Sequence, residues 1–333
     1  MSSDPILLVG GYGVTGKTVA RLLRARHPEL ALTIAGRDPA AAAAFAHEIA
    51  ADSRIVNLAS RETGLDEIPA SAIVVLAKDV GLHALTWSNK KAVPYIALSS
   101  AAFEHGIDVT HALSKPQRAP VVLAGHWFAG AVVLATAALA EEFDEVDTVI
   151  AGVTIDSSGE GGGPASVADF ARISRSTSAT LARVDGAYVW ETAEENIHTY
   201  RGASGEMING NGAVSLDVAS IGASLGAANV RVLESWGTSH HYSKTGIPAD
   251  EVLIEISGQK NGATKALHTV LTLPREQLSL TAICIVLLLE RVLGLDGCPS
   301  AIPGVYTPEN ILPRNSFLTS LRKLGVSVET TIT

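Results

Sequence analysis

A glycine-rich turn near the start constrains this chain more than any other feature. Ile6-Leu7-Leu8-Val9 is an uninterrupted apolar run, and Gly10-Gly11-Tyr12-Gly13-Val14-Thr15-Gly16 follows it at once. Apolar residues without alternation suit a strand buried on both faces, as in a parallel sheet covered by helices. The next stretch, 14–26, carries Val19, Leu22 and Leu23 on one side, as an amphipathic helix would. Gly11, Gly13 and Gly16 satisfy G-x-G-x-x-G between that strand and that helix. The first glycine permits a tight turn, the second lets a ligand approach the backbone, and the third lets helix and strand pack closely. The N–H groups and positive dipole end of the helix then suit an anion such as a pyrophosphate.

Strand and helix patterns alternate through the first 125 residues. Strands are expected over 32–35, 54–58, 72–77, 95–98 and 120–124, and helices over 39–51, 81–91 and 101–113. Asp38-Pro39 supplies an N-cap and a proline at the first helical position. This predicts an α/β fold whose N-terminal Rossmann domain, 1–125, is a doubly wound parallel sheet with right-handed crossovers. After Gly125 an Ala-rich helix over 129–141 leads to strands near 146–155, 187–192, 230–235 and 251–259. A second α+β domain over 126–295, on a largely antiparallel sheet, is expected to carry substrate and dimer contacts. Gly159–Gly163 reads as a flexible connection or a lid, and 278–293 is the most apolar helix. The C-terminal segment, 296–333, is expected to return and pack on the Rossmann domain.

Composition limits the function classes. At ~150 residues per domain, 333 residues suggest two domains. Hydrophobic residues at 47% against 18% charged exclude a disordered chain. A net charge of −9 argues against nucleic acid as partner. The longest apolar run, Ala282–Leu289, is far short of the ~20 residues of a membrane span. The opening Met-Ser-Ser-Asp-Pro has no basic stretch of a secretory signal. Cys284 and Cys298 are the two cysteines, and no Cys/His cluster has zinc spacing. The expectation is a cytoplasmic protein acting on a small molecule, without metal or membrane. A homodimer through the second domain's sheet or the 278–293 helix is expected, although a buried core helix reads identically.

The cofactor follows from the end of the second strand. An NAD site places Asp or Glu there to accept from the ribose 2′-OH. Here the stretch is Ile34-Ala35-Gly36-Arg37. A guanidinium at that place pairs a 2′-phosphate in bidentate fashion, which favours NADP(H). Gly11 through Gly16-Lys17-Thr18 also fits the phosphate loop of NTPases. That loop does not need Gly13, and its acidic partner has no clear candidate. The looser glycine spacing of short-chain reductases fits as well, but no tyrosine has a lysine four residues on.

Ligands of a doubly wound sheet gather beyond the carboxyl ends of its strands. That selects Ala77-Lys78-Asp79, Ser99-Ser100 and Gly125-His126-Trp127. Lys78 and His126 are the catalytic candidates, the first as proton relay or anchor for a hydroxyl or carboxylate, the second as general acid. His240-His241-Tyr242 with Lys244 forms a further polar cluster.

Val9-Gly10-Gly11-Tyr12-Gly13-Val14-Thr15-Gly16 followed by Ala35-Gly36-Arg37-Asp38 resembles the NADP-binding half of the saccharopine dehydrogenase-like family, saccharopine reductase type. Phe128-Ala129-Gly130 and the tail Pro303-Gly304-Val305-Tyr306-Thr307-Pro308-Glu309 are similar to the same family. The likeness covers about the first 140 and last 55 residues. It implies that Gly11, Tyr12, Gly13, Val14 and Thr15 cradle a pyrophosphate. It further implies that Gly36, Arg37 and Asp38 hold the adenosine end, and that Ala77 and Lys78 meet the nicotinamide ribose. Lys78-Asp79 departs from the small residue, glycine and proline common there. The implied activity is NADPH-dependent reduction of a C=N bond in an amine- or amino-acid-derived small molecule. The alternatives are a C=C or C=O reductase of secondary metabolism and a non-catalytic NADP(H)-binding protein.

Overall fold

A computed structural model describes residues 4–98, 101–158, 163–275 and 278–332. In chain order it contains β1 (Ile6–Val9), α1 (Val14–Arg26), β2 (Leu32–Gly36), α2 (Pro39–Glu48), β3 (Asp52–Ile55), β4 (Ala72–Val75) and α3 (His83–Lys91). Then come β5 (Tyr95–Ala97), α4 (His105–Leu113), β6 (Pro120–Leu123), α5 (Ala131–Ala140), β7 (Glu145–Asp156) and α6 (Pro164–Ser176). β8 (Ala179–Val184), β9 (Ala187–Thr192), β10 (Ile197–Arg201), β11 (Met207–Gly212), α7 (Asp217–Leu225), β12 (Asn229–Gly237) and α8 (His240–Thr245) follow. The remainder is β13 (Ala249–Lys260), β14 (Ala263–Pro274), α9 (Leu280–Leu293), β15 (Gly304–Tyr306), α10 (Pro308–Ile311), α11 (Arg314–Lys323) and β16 (Ser327–Ile332).

The chain forms two compact units. The first takes the described residues of 1–125, 162–169 and 281–312. Its seven-stranded sheet has the order β15-β6-β5-β4-β1-β2-β3, with all pairs parallel. The first six strands thus follow the 3-2-1-4-5-6 order of a doubly wound dinucleotide fold. β1, β4 and β6 are wholly buried, as uninterrupted apolar strands should be. Leu7, Val9, Ile73, Val75, Tyr95 and Leu123 join Trp87 of α3 in one core. β3 is displaced from the expected 54–58, because an exposed edge strand has no continuous apolar run to mark it.

The second unit takes the described residues of 126–161, 170–280 and 313–333. Its nine-stranded sheet has the main order β10-β11-β12-β7-β13-β14-β16, and β8 joins β12 with β9 beyond it. The sheet is mixed, since β12 and β7 run parallel while the neighbouring pairs run antiparallel. α5 is almost entirely buried, and α7, α11 and β13 pack against it.

Two parts of the expected domain plan change. From Thr281 onward α9 belongs with the first unit, and its Ile283, Cys284, Ile285 and Leu289 are fully buried. It is a core helix, so it offers no apolar face to a second copy. The 296–333 segment divides at Leu312. β15 extends the parallel sheet beside β6, whereas α11 buries Phe317 and Leu321 and β16 pairs with β14 of the other sheet. The amphipathic stretch in the tail marks α11 as a packing helix but carries no sign of which core it covers. Gly159–Gly163 falls, apart from its last residue, outside the described residues.

An ion cluster ties α9 to α1. The carboxylate of Glu290, 4% exposed, accepts from Arg26 at 2.6 and 2.9 Å and meets Nε2 of His27 at 2.8 Å. A charge inside so apolar a helix is tolerable only with partners of this kind. Arg26→Met leaves the carboxylate with His27 alone and is expected to lower stability by about 3 kcal/mol in urea titrations. Adding Glu290→Leu is expected to restore most of that loss.

Candidate functional site

The turn after β1 is held by its neighbours' backbones. The Gly10 N–H donates to the Ala35 carbonyl at 2.7 Å, and the Leu76 N–H donates to the Val9 carbonyl at 2.9 Å. Gly10 has a φ of +83°. A Cβ on Gly16 would lie 2.4 Å from the Gly10 carbonyl oxygen and 2.6 Å from Gly11 Cα, so only glycine fits. Gly13 caps α1 without a side-chain hydrogen bond, and the first turn has no acidic residue. The leading N–H groups of the helix therefore lack an acceptor from their own sequence. Val14 is exposed and Thr15 half-buried beside them.

The same turn decides between the two phosphate-binding readings. Lys17 places Nζ 5.6 Å from the centre of the Phe45 ring of α2, and Thr18 Oγ1 donates to the Val14 carbonyl at 3.2 Å. An NTPase needs that lysine on the phosphates and that hydroxyl on a metal ion. Both are engaged elsewhere, so the chain does not fit the NTPase pattern.

At the end of β2, Tyr12 covers Gly36. A Cβ on Gly36 would lie 2.4 Å from the Tyr12 ring, and the tyrosine hydroxyl accepts from the Asp38 N–H at 3.0 Å. The Asp38 carboxylate accepts from the N–H groups of Ala40 and Ala41, both at 3.0 Å, and so caps α2. Its expected part at the adenosine end is reduced accordingly. Arg37 is exposed and makes no hydrogen bond or ion pair among the described residues. Tyr12, expected among the residues that cradle a pyrophosphate, sets its side chain as a platform between turn and strand.

Beyond β4, Ala77 and Lys78 are half-buried and Asp79 is buried. Asp79 accepts from the N–H groups of His83, Ala84 and Leu85, which caps α3. Burial, opposed by those bonds, moves its carboxyl above the usual range. Lys78 Nζ lies 3.5 Å from Glu104 and 3.7 Å from Asp108, all three side chains being at most 14% exposed. Glu104 and Asp108 are four residues apart, the spacing that puts two side chains on one helical face. That signal was present in the sequence and was missed. Ser99-Ser100 lies outside the described residues.

His126 lies in the second unit. Its Nε2 is 2.8 Å from Ser220 Oγ of α7, and the Asp217 carboxylate accepts from the Trp127 N–H at 2.8 Å. Burial pushes the imidazole down to about 3, so the ring is neutral near pH 7. That burial opposes the imidazolium which the expected general-acid role requires. Phe128 and Ala129 follow with φ of +50° and +56°, and Gly130 with +105°. His240 and His241 open α8, where their N–H groups donate to Glu251 at 3.1 and 2.8 Å. Among the described residues no group of three or more His, Cys, Asp or Glu could hold a metal ion.

No family model matches the sequence, and no curated protein sequence does. Among solved structures, the chain is similar to saccharopine dehydrogenase (L-Glu forming) from Saccharomyces cerevisiae. The TM-score is 0.69 at 10% identity, over 99% of this chain and 100% of that one. It is also similar to an amine dehydrogenase from Mycobacterium smegmatis, with a TM-score of 0.49 at 14% identity, over 93% and 96% of the two chains. The first likeness shows that the two-sheet fold is that of saccharopine dehydrogenase from end to end, including the stretch 145–275 that sequence motifs left unmatched.

Two outcomes follow for this region. Gly16→Ala is expected to cost about 2 kcal/mol of stability, read by urea unfolding, because the backbone it meets cannot yield cheaply. His126 has a folded-state value below its ordinary 6.5, so the unfolded chain takes up the proton first as pH falls. Its contribution is complete above pH 6.5 and is lost toward pH 3 at about 1.4 kcal/mol per unit. Unfolding midpoints from pH 7 to 4 are expected to fall less steeply in His126→Gln.

Proposed function

We propose that the protein is an NADPH-dependent oxidoreductase that reduces the C=N bond of an imine or iminium derived from an amine or amino acid. The observation that carries this reading is the turn at Gly10–Gly16, where absent side chains and an uncapped helix start leave room and donors for a pyrophosphate. The fold shared with a saccharopine dehydrogenase supports dehydrogenase chemistry on such a scaffold.

The chain's own residues divide the work. Val14 and Thr15 offer backbone donors to the pyrophosphate, and Gly11 and Gly13, whose N–H groups donate to the Leu8 and Gly10 carbonyls, leave it room to approach. Tyr12 and Gly36 form the bed of the adenosine ribose. Arg37, exposed and unpaired, clasps a 2′-phosphate, and no carboxylate is free there to prefer the 2′-OH. When bound, the nicotinamide supplies hydride to the carbon of the C=N bond. Lys78, with Ala77 beside the nicotinamide ribose, is the residue that orients substrate and holds a proton for the nascent nitrogen. Glu104 and Asp108 keep its ammonium in place. A cationic iminium accepts hydride readily, so positioning and exclusion of water supply most of what is needed.

Fluorescence titration is expected to show tighter binding of NADPH than NADH. Arg37→Ala should weaken NADPH about tenfold to a hundredfold and leave NADH within about twofold. An equal loss for both nucleotides would remove the guanidinium from the site. Lys78→Arg keeps the ion pairs but alters the proton-holding group. It is expected to lower kcat about a hundredfold with the Kd for NADPH nearly unchanged.

A further inference from the structure

We propose that Glu234, with the aromatic pair Phe170 and Trp236, forms a binding subsite for a small organic ammonium ion in the second unit. Glu234 lies on β12, two residues before Trp236, and alternation along a strand puts both on one face of the sheet. Its ladder partners are Val153 of β7 and Asn211 of β11. Val153 is fully buried and Asn211 exposed, so the carboxyl stands between an apolar floor and a polar rim. Trp236 is 57% exposed, and Phe170 of α6 meets it edge to face at 5.3 Å between ring centres.

The carboxyl of Glu234 is only partly exposed, yet it makes no hydrogen bond or ion pair among the described residues. A carboxyl partly withdrawn from water and without a protein partner is open to a cation from outside the chain. The nearest arginine on the strand, Arg231, points to the opposite face and is committed to Glu191 at 2.7 Å. Burial alone lifts the Glu234 carboxyl to about 7. A bound cation would hold it ionised. Carboxylate and ring faces together select a compact cation with apolar substituents, which a protonated amine is and a metal ion is not. The amine class of this ligand rests on the function proposed above.

The test is calorimetric titration of the full chain with n-butylammonium chloride and, separately, with n-butanol, each sample also titrated with NADPH. The expected result is saturable amine binding, at least about tenfold weaker for the alcohol. Glu234→Gln should lose at least about tenfold in amine affinity and Trp236→Ala several-fold, with NADPH affinity unchanged in both. No amine binding by the unaltered protein, or undiminished binding by Glu234→Gln, overturns the subsite. Loss of NADPH binding in the unaltered protein would instead overturn the cofactor reading, so the two failures are distinct.

Discussion

The close approach of α1 to the turn after β1 is the contact from which the rest of the first unit is organised. Gly16 lies so near the Gly10 carbonyl that no side chain can intervene. That proximity brings the helix start over the carboxyl-end edge of the sheet, beside the ends of β2 and β4. Hydrogen bonds from Gly10 to Ala35, and from Leu76 to Val9, fix the three strand ends in register. Every residue assigned to the cofactor is placed relative to that edge. The price in sequence freedom is steep locally, yet it leaves the rest of α1 free to use ordinary amphipathic packing.

Charge around the same edge is handled differently at two depths. Asp38 and Asp79 spend their carboxylates on helix N-termini, where N–H donors and dipole favour an anion. Lys78 is enclosed by Glu104 and Asp108. What remains uncommitted is Arg37. In the proposed function, the Arg37 guanidinium, unpaired among the described residues, is the group that would meet an additional phosphate on the ribose.

The first unit was largely legible in the sequence because its elements are local and strongly patterned. Ile6–Val9 and Val14–Arg26 match their expected bounds, since an apolar run and an amphipathic helix meet at the glycines. Much of the second unit was not. β8, β10 and β11 alternate weakly, so their residues do not say which face they bury or against what. The destination of the tail was hidden for the same reason, because Phe317 and Leu321 show that α11 buries a face without showing against what. That Arg37 and Lys78 stand just beyond strand ends could be read from the sequence. The neutral state of His126 could not, since it depends on burial and on Ser220, ninety-four residues away.

The division of the tail at Leu312 bears on how such a chain can come to be made. Neither unit is a continuous stretch of polypeptide, and the backbone changes unit five times. The parallel sheet lacks its seventh strand until β15 has been synthesised, and the mixed sheet lacks β16 until the residues after α11 follow. Completion of both cores therefore waits for segments that follow α9 in the chain. Neither half can be cut away at a single peptide bond to yield an autonomous fragment.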